Sequence, residues 1–311
     1  MNSQATIFVA GADTLIGGAI VRQLRRQGCE HVVGTGTDAP DLTDAAAVEN
    51  FFAKTKPSHV FVAAGKSGGI SANQKHPADL MLNNLQVITH VIAAAHRHGV
   101  AKLLYLASSC VYPRECPQPM SVASLMAGPM EPTSGPYAMA RMAGITLCQA
   151  YRRQHGAHFI SSIPADVFGP GCKFNAEDSH VVPALMLKMH EAKKSGAGSV
   201  EVWGTGSPRR EFIYADDVAD ACIFVMDEYD EAEPINLGGG TDLSIRDAAE
   251  AIRRVVGYAG ELRFDASKPD GAPLKRLDSS RLLAMGWRPA TTFENGLRAT
   301  YQALLESERR V

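Results

Sequence analysis

The fold class is set near the start of the chain, where the sequence reads Thr6-Ile7-Phe8-Val9-Ala10-Gly11-Ala12-Asp13-Thr14-Leu15-Ile16-Gly17-Gly18. The residues before Gly11 form a short apolar run, which predicts a buried strand. Residues 17–27 have the spacing of an amphipathic helix and are followed by Gly28, a residue type that often ends helices. The sequence therefore predicts a strand that passes through a glycine turn into a helix, the first unit of an α/β fold.

The same alternation of strand and helix continues through the first half of the chain. Further strands are predicted at residues 32–33, 59–63 and 103–106 and from residue 158, and further helices at residues 45–54, 79–98 and 137–155. Continuous apolar strands separated by helices are typical of a parallel sheet that is covered on both faces. We therefore predict a Rossmann-like, doubly wound parallel sheet of the α/β class.

The pattern changes after Pro170, which predicts a second, smaller unit. A helix is predicted at residues 183–194, strand–helix alternation returns over residues 212–237, and residues 244–311 look mainly helical, with one strand at residues 261–264. We predict a dinucleotide-binding domain of residues 1–170 with about 211–240. A mostly helical substrate domain would contain residues 171–210 with about 241–311.

Composition excludes several classes of protein. The 311 residues carry 31 basic and 33 acidic side chains, a net charge of −2, so no basic surplus favours nucleic acid or an anionic membrane as a partner. No apolar run is long enough to span a membrane, and the first residues do not form a basic leader. The six cysteines include no C-x-x-C pair and the ten histidines lack metal-ligand spacing, which predicts a cytoplasmic protein without a metal site.

The glycine turn at residues 11–17 is suited to binding phosphate. Gly11 and Gly17 occupy the outer positions of the pattern G-x-x-G-x-x-G, and Thr14 replaces the middle glycine. Glycines let the backbone approach a pyrophosphate, and the helix that follows offers free N–H groups. The turn therefore predicts a dinucleotide cofactor, NAD(P)(H).

The stretch after the second strand bears on the choice between the two nicotinamide cofactors. Residues 34–41 contain no Lys or Arg, and Asp13 adds a negative charge in the first turn. A 2′-phosphate on the adenosine ribose would meet no cation there, so we expect NAD(H) to be favoured over NADP(H). The alternative is that more distant basic side chains contact the phosphate.

Two segments carry residues suited to carbonyl chemistry. The strand at residues 103–106 leads into Ser108, and the helix at residues 137–155 begins with Tyr137 and places Arg141 four residues later, on the same face. A tyrosine hydroxyl can exchange a proton with a carbonyl oxygen while hydride moves at the carbon, and a serine hydroxyl can polarise the same carbonyl. A cation one turn from the tyrosine stabilises its ionised form and can bind ribose hydroxyls.

With these features the chain resembles the extended short-chain dehydrogenase/reductase family, and within it the epimerase/reductases of GDP-linked sugars. The resemblance extends over almost the whole chain and is carried by residues 63–70, 108–113, 131–133, 136–138, 179–185, 202–206, 210–212 and 265–271. It implies a GDP-linked 4-keto-6-deoxy hexose as substrate. Ser108 and Tyr137 would serve reduction at C4, and Cys110 and His180 would be the base and acid that epimerise C3 and C5. It also implies a homodimer formed through the helices at residues 79–98 and 137–155.

The resemblance further implies which residues contact the two ligands, with Ser108, Cys110, Tyr137, Arg141 and His180 as the catalytic set. The implied cofactor contacts are Gly11, Thr14, Leu15, Ile16, Gly17, Asp41, Leu42, Ala63, Ala64, Tyr137, Arg141, Pro164, Val167 and His180. The implied substrate contacts are Ser109, Asp166, Val181, Lys188, Trp203, Arg210 and Lys275.

Several positions depart from the family's pattern, and they surround the cofactor or the hydride chemistry. Arg141 stands where the family has Lys, Asp166 stands where it has Asn, and Thr14 stands for a glycine. The family's arginines for the 2′-phosphate are replaced by Asp13 and Thr35. Arg141 keeps the charge, but its planar head is larger than an ammonium group. Three alternatives therefore stay open: an epimerase without reductase activity, an NADH-dependent enzyme of another nucleotide sugar, and a non-catalytic nucleotide-sugar sensor.

Each catalytic assignment also has a structural alternative. Cys110 could be a buried small apolar residue, His180 could cap the helix that follows it, and Tyr137 could simply pack in the core. The other five cysteines have no assigned role.

Overall fold

The computed structural model describes residues 4–175, 179–268 and 270–309. The helices are α1 Leu15–Arg26, α2 Ala45–Thr55, α3 Ile70–Lys75, α4 Pro77–Arg97, α5 Gly135–His155, α6 Val181–Ser195, α7 Ala215–Glu228, α8 Ile245–Val256, α9 Ser280–Ala284 and α10 Phe293–Glu308. The strands are β1 Ile7–Ala10, β2 Val32–Val33, β3 His59–Val62, β4 Lys102–Leu106, β5 Phe159–Pro164, β6 Asp166–Phe168, β7 Ser199–Trp203, β8 Arg209–Arg210, β9 Phe212–Tyr214, β10 Ile235–Leu237, β11 Leu243–Ser244, β12 Glu261–Asp265 and β13 Leu274–Lys275.

The central sheet has the strand order β2-β1-β3-β4-β5-β10, and all of its pairs are parallel. Helices α1 and α7 pack together against one face, and α2, α4 and α5 pack in a row against the other. The predicted doubly wound α/β sheet is therefore confirmed. The strand order reverses between β1 and β3, and ligands of such sheets bind in the crevice at the carboxyl ends of the two strands.

A second group of buried side chains lies under the later part of the chain. Its members include Met186 and Met189 of α6, Ile252 of α8 and Leu297 of α10. Three small sheets accompany it: β7 pairs with β12, β8 lies between β11 and β13, and β6 pairs with β9. The predicted division into a cofactor unit and a substrate unit remains a prediction.

Two helices that carry a proline in the first turn begin earlier than predicted. Helix α4 begins at Pro77 rather than residue 79, and α5 begins at Gly135, one residue before Pro136, rather than at residue 137. Proline suits the first turn of a helix because its missing N–H group would have no acceptor there. Among the described residues, no helix is both long and apolar enough to cross a membrane.

Candidate active site

The phosphate turn is closed by a side chain rather than by a third glycine. Thr14 is the N-cap of α1, and its Oγ1 accepts from the N–H of Gly17 at 3.1 Å. The same hydroxyl lies 2.7 Å from the carbonyl oxygen of Gly11 and 3.2 Å from that of Ala63, which are acceptors for its proton. Thr14 thus joins the end of β1, the start of α1 and the end of β3, which explains why this position tolerates a side chain.

The outer glycines, by contrast, are required by packing. A β-carbon on Gly11, whose φ is +87°, would lie 2.6 Å from the Cα of Ala64, and one on Gly17 would lie 1.9 Å from the carbonyl oxygen of Gly11. The N–H groups of Leu15 and Ile16 take no part in the cap, and the first N–H groups of a helix lack intrahelical acceptors. The narrow turn and these N–H groups fit the pyrophosphate of a dinucleotide.

The region expected to face the adenosine ribose contains short turns. Gly34, with φ of +76°, follows β2 and leads to a 3-10 turn at Gly36–Asp38. Asp41 accepts hydrogen bonds from the hydroxyl and the N–H of Thr43, which hold the pKa of Asp41 below its ordinary value. The carbonyl oxygen of Leu42 lies 3.1 Å from Nδ1 of His90 on α4. Cofactor contacts of Asp41 and Leu42 remain predictions.

Ser108, Cys110, Tyr137 and Arg141 come together at the carboxyl end of β4. Oγ of Ser108 accepts from the N–H of Cys110 at 3.3 Å, at the start of a 3-10 turn, Ser109–Val111, that packs against α5. Tyr137 is 7% exposed and Arg141 6%. Nε of Arg141 donates to the hydroxyl of Tyr137 at 3.2 Å. Tyr137 therefore does more than pack, because its hydroxyl is paired with a cation.

The guanidinium of Arg141 is buried and is held by hydrogen bonds. Its Nη1 donates to the carbonyl oxygen of Ala64 at 3.0 Å, and the hydroxyl of the buried Tyr105 donates to the backbone carbonyl of Arg141 at 3.1 Å. A β-carbon on Gly144 would lie 2.3 Å from the ring of Tyr105, so this close packing requires glycine. Burial acts to lower the pKa of Arg141, but its contacts with the phenols of Tyr137 and Tyr105 raise it, so the group stays charged.

An unpaired acceptor stands beside this guanidinium. Asn84 of α4 is fully buried, and its side-chain nitrogen donates to the carbonyls of Leu80 and Lys66. Its Oδ1 has no hydrogen-bond partner among the described residues. The position that a β-carbon of Gly65 would take is 2.2 Å from this oxygen and 3.0 Å from Nη2 of Arg141. Sequence patterns gave no signal for Asn84 or Tyr105, since both look like ordinary residues of a buried helix and strand.

His180, Lys188 and Trp203 are more open. His180 is the exposed residue before α6, and its side chain makes no capping hydrogen bond, so the alternative role as a helix cap is not supported. Nζ of Lys188 lies 5.4 Å from the ring centre of Trp203, and Nζ of Lys268 lies 5.7 Å from it. Trp203 is 51% exposed, an unusual state for a tryptophan that suits stacking on a flat ligand.

Arg210 lies on β8, between β11 and β13, and is within electrostatic range of Cys110. Its Nη1 donates to the carbonyl oxygen of Ala272 at 2.7 Å. Burial lowers the pKa of Arg210, and electrostatic interactions with Asp166, Asp270 and Cys110 oppose that effect. Lys275 lies beside Arg210 in register on the adjacent strand β13. The structure thus brings four of the predicted residues together: Cys110, Asp166, Arg210 and Lys275.

The remaining predicted residues border the same region or begin its elements. Ser109 is buried in the turn after β4, Pro164 ends β5, Val167 lies in β6, and Val181 is the first residue of α6. All six cysteines are free thiols. Burial raises the pKa of Cys172 to about 11 and that of Cys148 to about 12, which suits a structural role.

One cluster of potential metal ligands occurs among the described residues, formed by His190, Glu191 and Glu308. Both ring nitrogens of His190 are engaged, Nδ1 with the hydroxyl of Tyr301 and Nε2 with Glu308, each at 3.0 Å. Lys194 also pairs with Glu308 at 3.2 Å. This cluster is therefore explained as a polar contact between α6 and α10.

Comparison with known proteins adds independent observations. Residues 7–238 match the family described as the NAD dependent epimerase/dehydratase family. The chain is 49% identical to GDP-L-fucose synthase 1 of Arabidopsis thaliana over 98% of this chain and 95% of that protein. It is 44% identical to GDP-L-fucose synthase of Escherichia coli strain K12 over 99% of each chain. The crystal structure of a GDP-L-fucose synthetase from Naegleria fowleri bound to NADP superposes with a TM-score of 0.92 at 28% identity, covering 99% of this chain and 96% of that one.

Proposed function

The chain belongs to the NAD-dependent epimerase/dehydratase family, and we propose that it epimerises a GDP-linked 4-keto-6-deoxy hexose at C3 and C5 and then reduces C4. It is an NAD(P)-dependent enzyme of the epimerase/reductase type. The observation that carries the proposal is that Ser108 and Cys110 lie at a turn packed against the helix of the Tyr137–Arg141 pair, with Arg210 within electrostatic range of Cys110. Groups suited to proton transfer and a cation suited to binding an anion would therefore share one site.

In the epimerisation, a C–H bond next to a ketone is broken and re-formed on the other face. Cys110 as thiolate would take the proton from C3 or C5, and the electron pair of that bond would move onto the C4 oxygen as an enolate. Hydrogen bonds from Ser108 and Tyr137 to that oxygen would stabilise the charge. His180 would return a proton to the carbon from the opposite face, which inverts the centre.

In the reduction, the nicotinamide, when bound, supplies hydride to C4. Tyr137 would give its hydroxyl proton to the C4 oxygen, and the resulting alcohol carries both transferred hydrogens. Arg141 stabilises the negative charge left on Tyr137, because its Nε already points at that oxygen from 3.2 Å. The Gly11–Gly17 turn with the N–H groups of Leu15 and Ile16 would hold the pyrophosphate.

The nucleotide part of the substrate would lie across the more open residues. Arg210 and Lys275 would contact the diphosphate, and Lys188 and Trp203 the nucleoside. Ser109, Asp166 and Val181 would complete the contacts to the sugar and its linkage. Support for this arrangement comes from the register of Arg210 with Lys275 and from the exposed face of Trp203.

We further propose that NADH is used at least as well as NADPH. Residues 34–41 offer no Lys or Arg to a 2′-phosphate, and Asp13 lies in the adjacent turn. The Naegleria fowleri structure holds NADP, so the two cofactors must be compared directly. Steady-state rates should give kcat/KM for NADH equal to or above that for NADPH. A clear preference for NADPH would mean that more distant basic side chains bind the phosphate.

One experiment tests the reaction. The protein is incubated with GDP-4-keto-6-deoxymannose in heavy water with NADH, with NADPH and without cofactor, and the sugar is analysed by NMR. Deuterium at C3 or C5 without cofactor reports epimerisation, and cofactor oxidation reports reduction. Silence in both assays, despite binding of a GDP-sugar, would disprove the proposal for this substrate. Exchange without any cofactor oxidation would favour the epimerase-only alternative.

A second free cysteine on the same loop, Cys116, provides a matched control for the proposed base, Cys110. Cys110→Ser should abolish deuterium exchange, since a serine hydroxyl is a far weaker base at neutral pH than a thiolate. Cys116→Ser changes a neighbouring, half-buried thiol and should leave exchange unchanged. Exchange at the wild-type rate in Cys110→Ser would show that another group is the base.

We also propose that the protein is a cytoplasmic homodimer that associates through α4 and α5. Leu82 and Met139 of these helices are 58% and 45% exposed. An apolar groove of about 480 Å³ beside them includes Met81, Met126 and Met139. A second copy could bury this surface. Sedimentation velocity should show a dimer for the wild-type protein and a monomer for the double substitution Leu82→Glu with Met139→Glu.

A further inference from the structure

A carboxylate with no role in the proposed chemistry is buried beside Arg210 and Lys275, the two cations proposed to bind the substrate. Glu211 is the residue between β8 and β9 and is 2% exposed. Its Oε1 accepts from the N–H of Gly240 at 2.7 Å, and its Oε2 accepts from the N–H of Leu277 at 2.8 Å. The two donors come from different segments, one just after β10 of the central sheet and one just after β13.

The backbone of Glu211 makes two more connections between segments. Its N–H donates to the carbonyl oxygen of Lys275 at 3.1 Å, and its carbonyl oxygen accepts from the N–H of Asp166 at 3.0 Å. Arg210 directly precedes Glu211 and is in register with Lys275. Three residues proposed to contact the substrate, Asp166, Arg210 and Lys275, are therefore each bonded to Glu211 or adjacent to it.

The carboxylate of Glu211 does not form a salt bridge with the neighbouring Arg210. Its hydrogen-bond donors are backbone N–H groups, and Arg276, the cation that follows β13 and acts on this carboxylate electrostatically, is paired with Asp242 at 3.4 Å. Arg210 donates to the carbonyl oxygens of Ala272 and Arg209, which are uncharged. Among the described residues Arg210 forms no salt bridge, so no acidic side chain occupies its guanidinium directly, although Asp166 and Asp270 lie within electrostatic range.

The carboxylate is also packed closely against Gly238. A β-carbon on Gly238 would lie 2.4 Å from Oε1 of Glu211 and 2.7 Å from Oγ of Ser279. Gly238 has no positive φ, so close approach rather than backbone conformation is what excludes a side chain there. Gly238→Ala therefore displaces the carboxylate while leaving its charge in place.

We propose that Glu211 is a positioning residue for diphosphate binding: it holds the strand of Lys275 against the strand of Arg210, so that both cations face one anion. This inference rests on the proposed function, which assigns the two cations to the substrate diphosphate. Removing the carboxylate leaves the N–H groups of Gly240 and Leu277 without their acceptors and releases the segment that carries Lys275.

The test measures binding of GDP and of the nicotinamide cofactor by isothermal titration calorimetry. Glu211→Gln keeps the shape but turns one acceptor oxygen into a donor group that opposes an N–H. We expect the Kd for GDP to rise about tenfold or more, because at least one hydrogen bond to a charged group is lost. The Kd for the cofactor should stay within about twofold, since the two N–H groups that lose their acceptor, those of Gly240 and Leu277, lie outside the Gly11–Gly17 turn.

Two further variants separate positioning from general damage. Gly238→Ala should show the same selective loss of GDP affinity, and it replaces Glu211→Gln if that variant does not fold. Glu261 is an exposed carboxylate of β12 whose one salt bridge within the described part of the chain is with Arg263, and Glu261→Gln should bind both ligands like the wild-type protein.

The outcomes are distinguishable. Wild-type protein that does not bind GDP would contradict the proposed substrate class. Wild-type protein that binds GDP, with variants at Glu211 or Gly238 that bind it equally well, would overturn the positioning role alone. Equal losses of GDP and cofactor affinity would also overturn that role, because a purely structural contribution affects both ligands.

Discussion

The candidate site has two walls that differ in burial. The hydride wall, formed by Ser108, Tyr137 and Arg141, is mostly buried, with Tyr137 at 7% and Arg141 at 6% exposure. The nucleotide wall, formed by His180, Lys188 and Trp203, is open, and its Trp203 is 51% exposed. Proton and hydride transfer need fixed distances, which buried hydrogen bonds provide. A nucleotide base needs an accessible face on which to lie, and the ligand itself then covers that face.

Tyr137→Phe should cause the largest change, because it removes the hydroxyl that we propose as the proton donor of the hydride wall. We expect cofactor oxidation to fall by about a hundredfold to ten-thousandfold. Deuterium exchange at C3 and C5 should persist at a reduced rate, since Cys110 is untouched, and GDP affinity should not change. Stopped-flow fluorescence and NMR measure the two reactions separately. Full reductase activity in this variant would show that the two walls have been assigned wrongly.

Trp203→Ala tests the nucleotide wall. Loss of stacking should raise KM for the GDP-sugar by about tenfold to a hundredfold, with kcat largely retained. Stability should change little because the side chain is half exposed, and a thermal melt checks this. Trp203→Phe keeps an aromatic face and should recover most of the affinity. A fall in kcat at unchanged KM would instead place Trp203 close to the reacting carbons.

Arg141→Lys tests whether the hydrogen bonds of the hydride wall require a guanidinium group. A lysine ammonium cannot reach both the Tyr137 hydroxyl and the Ala64 carbonyl with the planar fork that Arg141 uses. We expect a loss of about 1–3 kcal/mol in the free energy of unfolding and a slower reduction step. Arg263→Lys, at an exposed pair, serves as the control. A faster reduction would mean that the buried site accepts either cation.

Glu49→Gln should have the smallest effect, because Glu49 belongs to neither wall. The hydrogen bonds of Arg97, with a smaller contribution from His98, lower the pKa of Glu49 from 4.5 to about 2. The pair therefore stabilises the fold fully above pH 4.5, and this contribution is lost as the pH falls towards 2. The pair is exposed, so the difference should not exceed about 1 kcal/mol.

Urea denaturation of wild-type protein and Glu49→Gln at several pH values checks this sign. The wild-type advantage should be greatest near neutral pH and should shrink with acidification. An advantage that grew as the pH fell would contradict the lowered pKa. Catalytic rates should be the same in both proteins.

Sequence patterns predict the hydride wall better than the rest of the site. Ser108, Cys110, Tyr137 and Arg141 occupy short, characteristic segments, and buried parallel strands leave clear apolar runs. Strands β8, β11 and β13 have two residues each, too few for an alternating pattern. The hydrogen bonds of Glu211 could not be predicted from sequence patterns either, because its carboxylate oxygens accept from N–H groups 29 and 66 residues further along the chain.

The hydroxyl cap of Thr14 has a consequence for how sequences are searched. A pattern that demands three glycines would pass over this chain, although the turn is closed by bonds to Gly11, Gly17 and Ala63. Only the outer glycines are dictated by close approach. A search that accepts Ser or Thr at the middle position, while holding the outer two fixed, should recover further nucleotide-binding chains of this kind.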